Sequence, residues 1–310
     1  MSQLQRGLLA MTITVLSWSA LFPIGKMMLA TLDPYYLTVI RYGIAAAILL
    51  GLLMLKEGFG VLAELRRDSR RGWLVLYGNF GFVGFSLLMF EGLRTTSPAQ
   101  AAVIAAMQPL IMALTLWILR GLRPARVTLL CVAIAFAGCV VVVSKGEVTT
   151  LLSGGHVVGD LLVFAGAVCW VIYTLGAGRF SDWSPLRYTG LSCAFGTLGI
   201  FFVAALATWL GRAHVPSPAQ VYSVVWPMVF LILMTSVVAV LLWNVGVRNL
   251  GPLNATLFGN FIPVLVFSIG AVQGQPSAPA EYLGGAIVLA ALVGNNFYVR
   301  WKLAQSAVRS

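Results

Sequence analysis

The chain has 310 residues, 60% of them hydrophobic and 9% charged, with a formal net charge of +11. Soluble domains carry about 25% charged and 45–50% apolar residues, so this much apolar surface cannot be hidden in one water-surrounded core. An ordinary soluble enzyme, a disordered chain and a nucleic-acid module are excluded, and the positive balance fits a bilayer, whose cytoplasmic loops collect Lys and Arg, better than an acidic partner such as DNA.

A membrane-crossing helix needs about 20 mainly apolar residues, and ten stretches qualify, at about 7–28, 34–55, 73–93, 97–119, 126–144, 157–178, 185–208, 224–247, 252–272 and 280–300. The first follows Arg6 and is too long for a signal-peptide core, so it reads as a retained helix, with Trp18 deep inside it and Lys26 near its end. After the turn at Asp33-Pro34, the second carries Arg41, about 10 Å from its start at about 1.5 Å per residue. A basic connection from Lys56 to Arg71 leads to the third, which holds Asn79, a glycine every third residue (Gly78, Gly81, Gly84) that permits close helix packing, and Glu91.

Gln108-Pro109 sits near the middle of the fourth stretch and Asn260 with Pro263 near the middle of the ninth. Each proline removes one helical hydrogen bond and kinks its helix. The freed carbonyls need partners or a polar cavity, so the two amides either bond neighbouring helices or line that cavity. The sixth stretch carries Trp170 and Tyr173, the eighth Asn244, and the last Asn295 and Asn296, where a dimer contact is one reading. Turn-formers at Gly121 to Pro124, Ser153-Gly154-Gly155 and Gly251-Pro252 punctuate the stretches. The ten-residue alternation of a β-barrel is absent.

Charge gives the orientation. Fifteen of the 20 basic residues lie at the N-terminus and in the connections after even-numbered stretches, three (Arg94, Lys145, Arg212) lie on the other side, and Lys26 and Arg41 fall inside. This asymmetry places both termini in the cytoplasm. The chain also repeats at an offset of about 154 residues: Arg94, Pro98, Ala101 and Pro109 recur as Arg248, Pro252, Ala255 and Pro263, and Gly92 as Gly246. Trp18 and Pro34 find counterparts in Trp170 and Pro185 with small gaps. Each repeat, 1–150 and 151–310, holds five stretches. Five is odd, so the second enters the membrane inverted, as in secondary transporters that rock about a midplane site.

These residues resemble the EamA-type members of the drug/metabolite transporter superfamily. Trp18, Phe22 and Lys26 match a tryptophan, an aromatic and a base at helical spacing in the first helix; Pro34 and Arg41 match the second. The segment Gly92 to Ala99 with Pro109, then Gly159, Asp160, Trp170 and Tyr173, then Trp243-Asn244, complete the likeness over the whole chain. Two departures stand out: Glu91 takes the place of a small residue, and Arg120-Gly121-Leu122-Arg123 and Gly274-Gln275-Pro276 replace segments that often carry Glu. The resemblance implies an all-α integral membrane protein of the bacterial inner membrane, a monomer or homodimer. In it, helices one to four and six to nine would surround a cavity, and the protein would export a small metabolite, with amino acids or their relatives first.

Intramembrane charges are expensive and are functional suspects. Lys26, Arg41 and Glu91 all fall in the outer part of the first repeat, where an excess of positive charge favours carboxylate- or phosphate-bearing substrates. Lys26 either snorkels or meets substrate. Glu91 either pairs with Arg41, as a structural or gating pair, or serves proton coupling, which a charged Arg partner would oppose. Trp18, Trp170 and Tyr173 form an apolar wall to the substrate or pack between helices; Asn79 and Asn244 bond substrate or a neighbour. The expected substrate-cavity or gate residues are therefore Trp18, Phe22, Lys26, Arg41, Asn79, Glu91, Gln108, Trp170, Tyr173, Asn244 and Asn260.

No ATP-binding loop, zincin or nucleophile-elbow motif occurs, and His156 with Asp160 makes only a weak acid–base pair. Cys131, Cys139, Cys169 and Cys193 sit in apolar runs without metal or disulfide spacing. No cofactor, metal or nucleic-acid partner is expected; the partners are the substrate and the bilayer. The other classes left open are an integral-membrane enzyme acting on lipid and a non-transporting scaffold or sensor.

Overall fold

Serine or aspartate followed by proline starts helix after helix in this chain. Asp33, Ser97, Ser184 and Ser217 each accept a hydrogen bond from a backbone N–H in the first turn, and Pro34, Pro98, Pro185 and Pro218 follow them. The side-chain oxygen satisfies one orphan N–H of the helix end, and proline, which has none, fits the first helical position. At other ends Gly58 (φ 76°) and Gly121 (φ 68°) adopt backbone conformations that side chains resist, and so stop the helix.

The computed structural model describes residues 2–145, 157–275 and 277–309; the turn at Ser153-Gly154-Gly155, His156 and Pro276 lie outside the described residues. Among the described residues the secondary structure is entirely helical. In chain order the helices are α1 (Gln3–Met28), α2 (Pro34–Glu57), α3 (Gly60–Arg67), α4 (Arg71–Thr95), α5 (Pro98–Ala106), α6 (Gln108–Arg120), α7 (Arg126–Ser144) and α8 (Val157–Gly176). There follow α9 (Pro185–Trp209), α10 (Pro218–Ser223), α11 (Val225–Leu250), α12 (Pro252–Phe258), α13 (Phe261–Val272) and α14 (Pro279–Arg309).

Among the described residues, eight helices are long and apolar enough to cross a membrane: α1, α2, α4, α7, α8 continued to Phe180, α9, α11, and the stretch Asn254–Val272 in α12 and α13. The α5–α6 pair, bent by 42°, brings the number to nine. α14 covers the tenth expected stretch and packs along α7.

Two irregularities shape the bundle. α4 and α11 each contain a π-helical segment, Asn79–Gly84 and Leu231–Val238, where the hydrogen bonds reach one residue further than in an α-helix. The second is the break at Met107 between α5 and α6 and at Gly259-Asn260 between α12 and α13. Each break falls two to four residues before a proline, Pro109 or Pro263, whose ring displaces the carbonyl four residues back.

α1 packs along α11, α4 along α8, and α2 along α9. Glycines let the backbones meet: a methyl on Gly81 would lie 2.6 Å from the Tyr173 ring, and one on Gly84 2.8 Å from the Cys169 sulfur. Gly78 is pressed against the Ser192 carbonyl.

At the end of the bundle that carries α3, charged side chains tie the connections together. Arg70 binds Asp68 at 2.8 Å and Asp182 at 2.7 Å, donates to the Arg179 carbonyl, and lies over the rings of Phe180 and Trp183. Arg187 binds Glu64 at 2.6 Å. The Arg70 hydrogen bonds hold Asp182's carboxyl down at about 2 and lower that of Asp68. A depressed carboxylate stabilises the fold above its ordinary range near 4, and that contribution is lost as pH falls toward 2. Asp182→Asn is therefore expected to melt slightly below the wild type at pH 6, by under about 1 kcal/mol for so exposed a pair. The two proteins should converge in a melting series taken down to pH 2.

Candidate functional site

The middle of the bundle is filled by aromatic rings from six helices. Trp18 of α1 lies edge-on to Trp170 of α8, with centroids 5.2 Å apart, and 5.1 Å from Trp243 of α11; Trp170 and Trp243 are 5.9 Å apart. Phe85 of α4 and Tyr173 of α8 each lie 5.0 Å from Trp170. The ring series continues through Phe82, Tyr42 and Tyr188. Offset and edge-on rings at these distances are mutually attractive, and buried indole N–H groups need acceptors. Trp18 Nε1 donates to the Thr235 carbonyl at 3.1 Å, in the π-helical segment of α11, and Trp243 Nε1 to Thr174 Oγ1 at 3.1 Å. Trp170 Nε1 is buried with no partner.

Asn244 joins the polar rim of this cluster. Its Nδ2 donates to the Tyr173 hydroxyl at 2.8 Å and to Thr189 Oγ1 at 2.9 Å, while Oδ1 is buried and unpaired. Two cavities open at opposite ends of the bundle, and one of them reaches Tyr188 and Asn244 at the rim of the ring series. The connection order puts the ends of α1 and α4 and the start of α5 at one end, and the ends of α8 and α11 and the start of α9 at the other. At the first end a cavity of about 690 Å³ is bounded by Pro23, Lys26, Thr96, Gln100 and Gln273. At the second, the end that carries α3, a cavity of about 450 Å³ is bounded by Phe180, Trp183, Tyr188, Asn244 and Arg248.

Trp18, Trp170, Tyr173 and Asn244 thus meet in one cluster. Arg41 reaches its edge: Nε donates to Ser236 Oγ and Nη2 to the Tyr42 hydroxyl, both at 2.8 Å, and the guanidinium lies over the rings of Tyr42 and Phe90. Arg41 and Glu91 do not pair. Glu91 binds Arg94 one helical turn away at 3.2 Å, because both project from the end of α4 while Arg41 turns inward to α11.

Lys26 neither snorkels freely nor stands bare. Its ammonium donates to the carbonyls of Leu93, Arg94 and Thr96 at 2.7–3.0 Å, capping the end of α4 where those carbonyls lack helical partners. Lys26→Met is expected to loosen that end, costing about 1 kcal/mol for the loss of hydrogen bonds to partly exposed carbonyls. Hydrogen exchange at Thr95 and Thr96 should rise while the rest of α4 stays protected; unchanged protection would refute the capping role.

Asn79 donates back to the Val75 carbonyl and packs on Gly199. Phe22 is buried in the core and lines neither cavity. Gln108 and Asn260 are buried at the two helix breaks, with Asn260 Oδ1 unpaired. Absent from the residues expected from sequence are Trp243, Thr174, Thr235, Ser236 and Tyr188. Only Trp243 carried a signal, its place beside Asn244.

The EamA-like transporter family model matches this chain twice, over residues 5–144 and 157–297. An uncharacterized transporter of Bacillus subtilis, YrdR, is 32% identical over 302 residues, covering 96% of this chain and 93% of that protein. The aromatic amino acid exporter YddG of Ancylobacter novellus is 28% identical over 175 residues, 54% of this chain and 56% of its own. One crystal structure superposes with a TM-score of 0.66 at 22% identity, covering 96% of this chain and 99% of its own, a likeness of fold.

Proposed function

The chain belongs to the EamA-like transporter family, and from that premise we propose that it is a secondary transporter that exports a small metabolite, an amino acid or a close relative, by alternating access. The observation that carries this reading is the Trp18–Trp170–Trp243 cluster in the middle of the bundle, with a cavity opening at each end. A barrier that opens to one side at a time needs such a plug, held by contacts that can be exchanged. The aromatic walls favour a substrate with an apolar or aromatic side chain, and the likeness to an aromatic amino acid exporter agrees with that choice.

Ten membrane helices in two inverted repeats, 1–150 and 151–310, give this machine its symmetry. Four observations support the layout. The family model matches each half separately. The π-helical segments begin at Asn79 and Leu231, 152 residues apart. The helix breaks follow Ala106 and Phe258, also 152 apart. The contacts exchange between halves as a two-fold would require: α1 on α11 matches α8 on α4, and α2 on the π segment of α11 matches α9 on that of α4.

The fifteen-to-three charge asymmetry favours cytoplasmic termini in a bacterial inner membrane. Counterflow of labelled amino acids in proteoliposomes tests the transport reading. Saturable flux of at least one supports it, and absence of saturable flux across amino acids, organic acids and nucleosides overturns it. Maleimide labelling of single cysteines placed near Gln3 and in the Arg212–Pro218 connection tests the orientation.

A further inference from the structure

Arg41 is 1% exposed and, among the described residues, makes no ion pair. Its Nε and Nη2 are taken by Ser236 and Tyr42, while Nη1 is buried with no hydrogen-bond partner. Guanidinium does not shed its proton in proteins. A buried charge with one donor group unpaired carries its desolvation cost without the attraction that would offset it. The rings of Tyr42 and Phe90 return only part of that cost.

Packing does not explain the cation. Arg41 is the seventh residue after Pro34, and the seventh after Pro185, the matching start of α9, is Ser192. Ser192 is fully buried and satisfied by the Tyr188 and Thr189 carbonyls of its own helix. The same register in the partner helix is filled without charge, so Arg41 answers to something other than helix contact.

Its surroundings indicate what. Ser236 bonds both Arg41 and the Leu231 carbonyl, and its neighbour Thr235 holds Trp18. One π-helical turn therefore anchors both the buried cation and the aromatic plug. We propose that Arg41 is the counter-ion for a single carboxylate on the transported molecule, received on Nη1 when this turn of α11 yields. The apolar part of the molecule then lies toward Trp18. The inference rests on the transport reading and narrows its substrates to monocarboxylates, zwitterionic amino acids included. One free donor group suits one negative charge better than a phosphate dianion.

The test is a thermal-shift panel on the full-length protein, in which amino acids such as L-phenylalanine and simple aromatic monocarboxylates are each paired with their carboxamides. The wild type is expected to be shifted by the acids and not by the amides. In Arg41→Met the shift should weaken about tenfold or more in concentration, and Arg41→Lys, which keeps a charge without the fork, should lie between. Without compound, Arg41→Met should melt at or above the wild type, because an uncompensated charge has gone. Amides that bind as well as acids, acids that bind Arg41→Met undiminished, or an Arg41→Met protein that melts well below the wild type would each overturn the proposal. Acids that bind through Arg41 without flux would overturn transport and leave Arg41 only as a carboxylate-binding group. Flux that ignores the Arg41 substitutions would do the reverse.

Discussion

Gly78→Val is expected to yield no folded protein in detergent, whereas Gly51→Ala should be neutral or mildly stabilising. The contrast comes from what a side chain would meet. A Cβ at Gly78 runs into the Ser192 carbonyl, and one at Gly196, on the facing helix, would lie 2.6 Å from the Gly78 carbonyl oxygen. Both obstacles are backbone, and neither can turn aside as a side-chain tip can. Separating α4 from α9 to make room would pull Gly196 from Phe82 and Gly199 from Asn79 and Val83, so the loss propagates along the contact. Overpacking a core costs about 1–3 kcal/mol when side chains can adjust; with backbone on both sides and a branched residue the cost belongs above that range. Gly51 faces open space in α2, so alanine there only recovers helix propensity, about 0.5–1 kcal/mol. Size-exclusion profiles and melting curves of the two variants decide it. A monodisperse Gly78→Val protein of near wild-type stability would mean that the helices do not meet this closely.

Much of this arrangement could be read from residue order, because bilayer physics leaves few choices. A long apolar run must be a helix, a serine–proline pair starts one, and a proline inside one bends it. That Trp18, Trp170 and Tyr173 come together follows from aromatic residues placed deep in stretches that must bury them. What could not be read depends on approach between distant segments. Lys26 finds its carbonyls 67 to 70 positions away, and Arg41 its serine 195 away. Intramembrane charges of opposite sign suggested an Arg41–Glu91 pair, but Glu91 had a nearer base in Arg94, one turn along its own helix. The π-helical segments carry no residue-type signature at all. One extra residue in a turn is invisible to periodicity over so short a length, yet it supplies the carbonyl that holds Trp18.

Trp243→Ala should both destabilise the protein and abolish flux, and Trp243→Phe should separate the two effects. Trp243 is 1% exposed and touches Trp18, Trp170 and Thr174, so truncation empties the centre of the plug. In water the cost of a large-to-small change has two parts, lost transfer from water and the cavity left behind, and for Trp→Ala totals about 3–5 kcal/mol. In a bilayer the transfer part shrinks, because a separated helix would offer its tryptophan to lipid rather than to water. The cavity part remains: a void on the order of 100 Å³, at about 24 cal/mol per Å³, costs about 2.4 kcal/mol. That is enough to lower the melting temperature by several degrees, and enough to let the cavity that reaches Asn244 run into the plug. A plug that leaks cannot couple opening on one side to closing on the other, so net flux against a gradient should vanish even where equilibration persists. Phenylalanine refills most of the void but cannot donate to Thr174, which then loses its contact with α11. Trp243→Phe should recover most of the stability while transport stays reduced, about tenfold if one buried hydrogen bond near 1.4 kcal/mol is lost from the closed state. Counterflow and concentrative uptake measured side by side distinguish a leak from a simple loss of binding. If Trp243→Ala concentrates substrate as well as the wild type, the three-tryptophan cluster is packing and the barrier lies elsewhere.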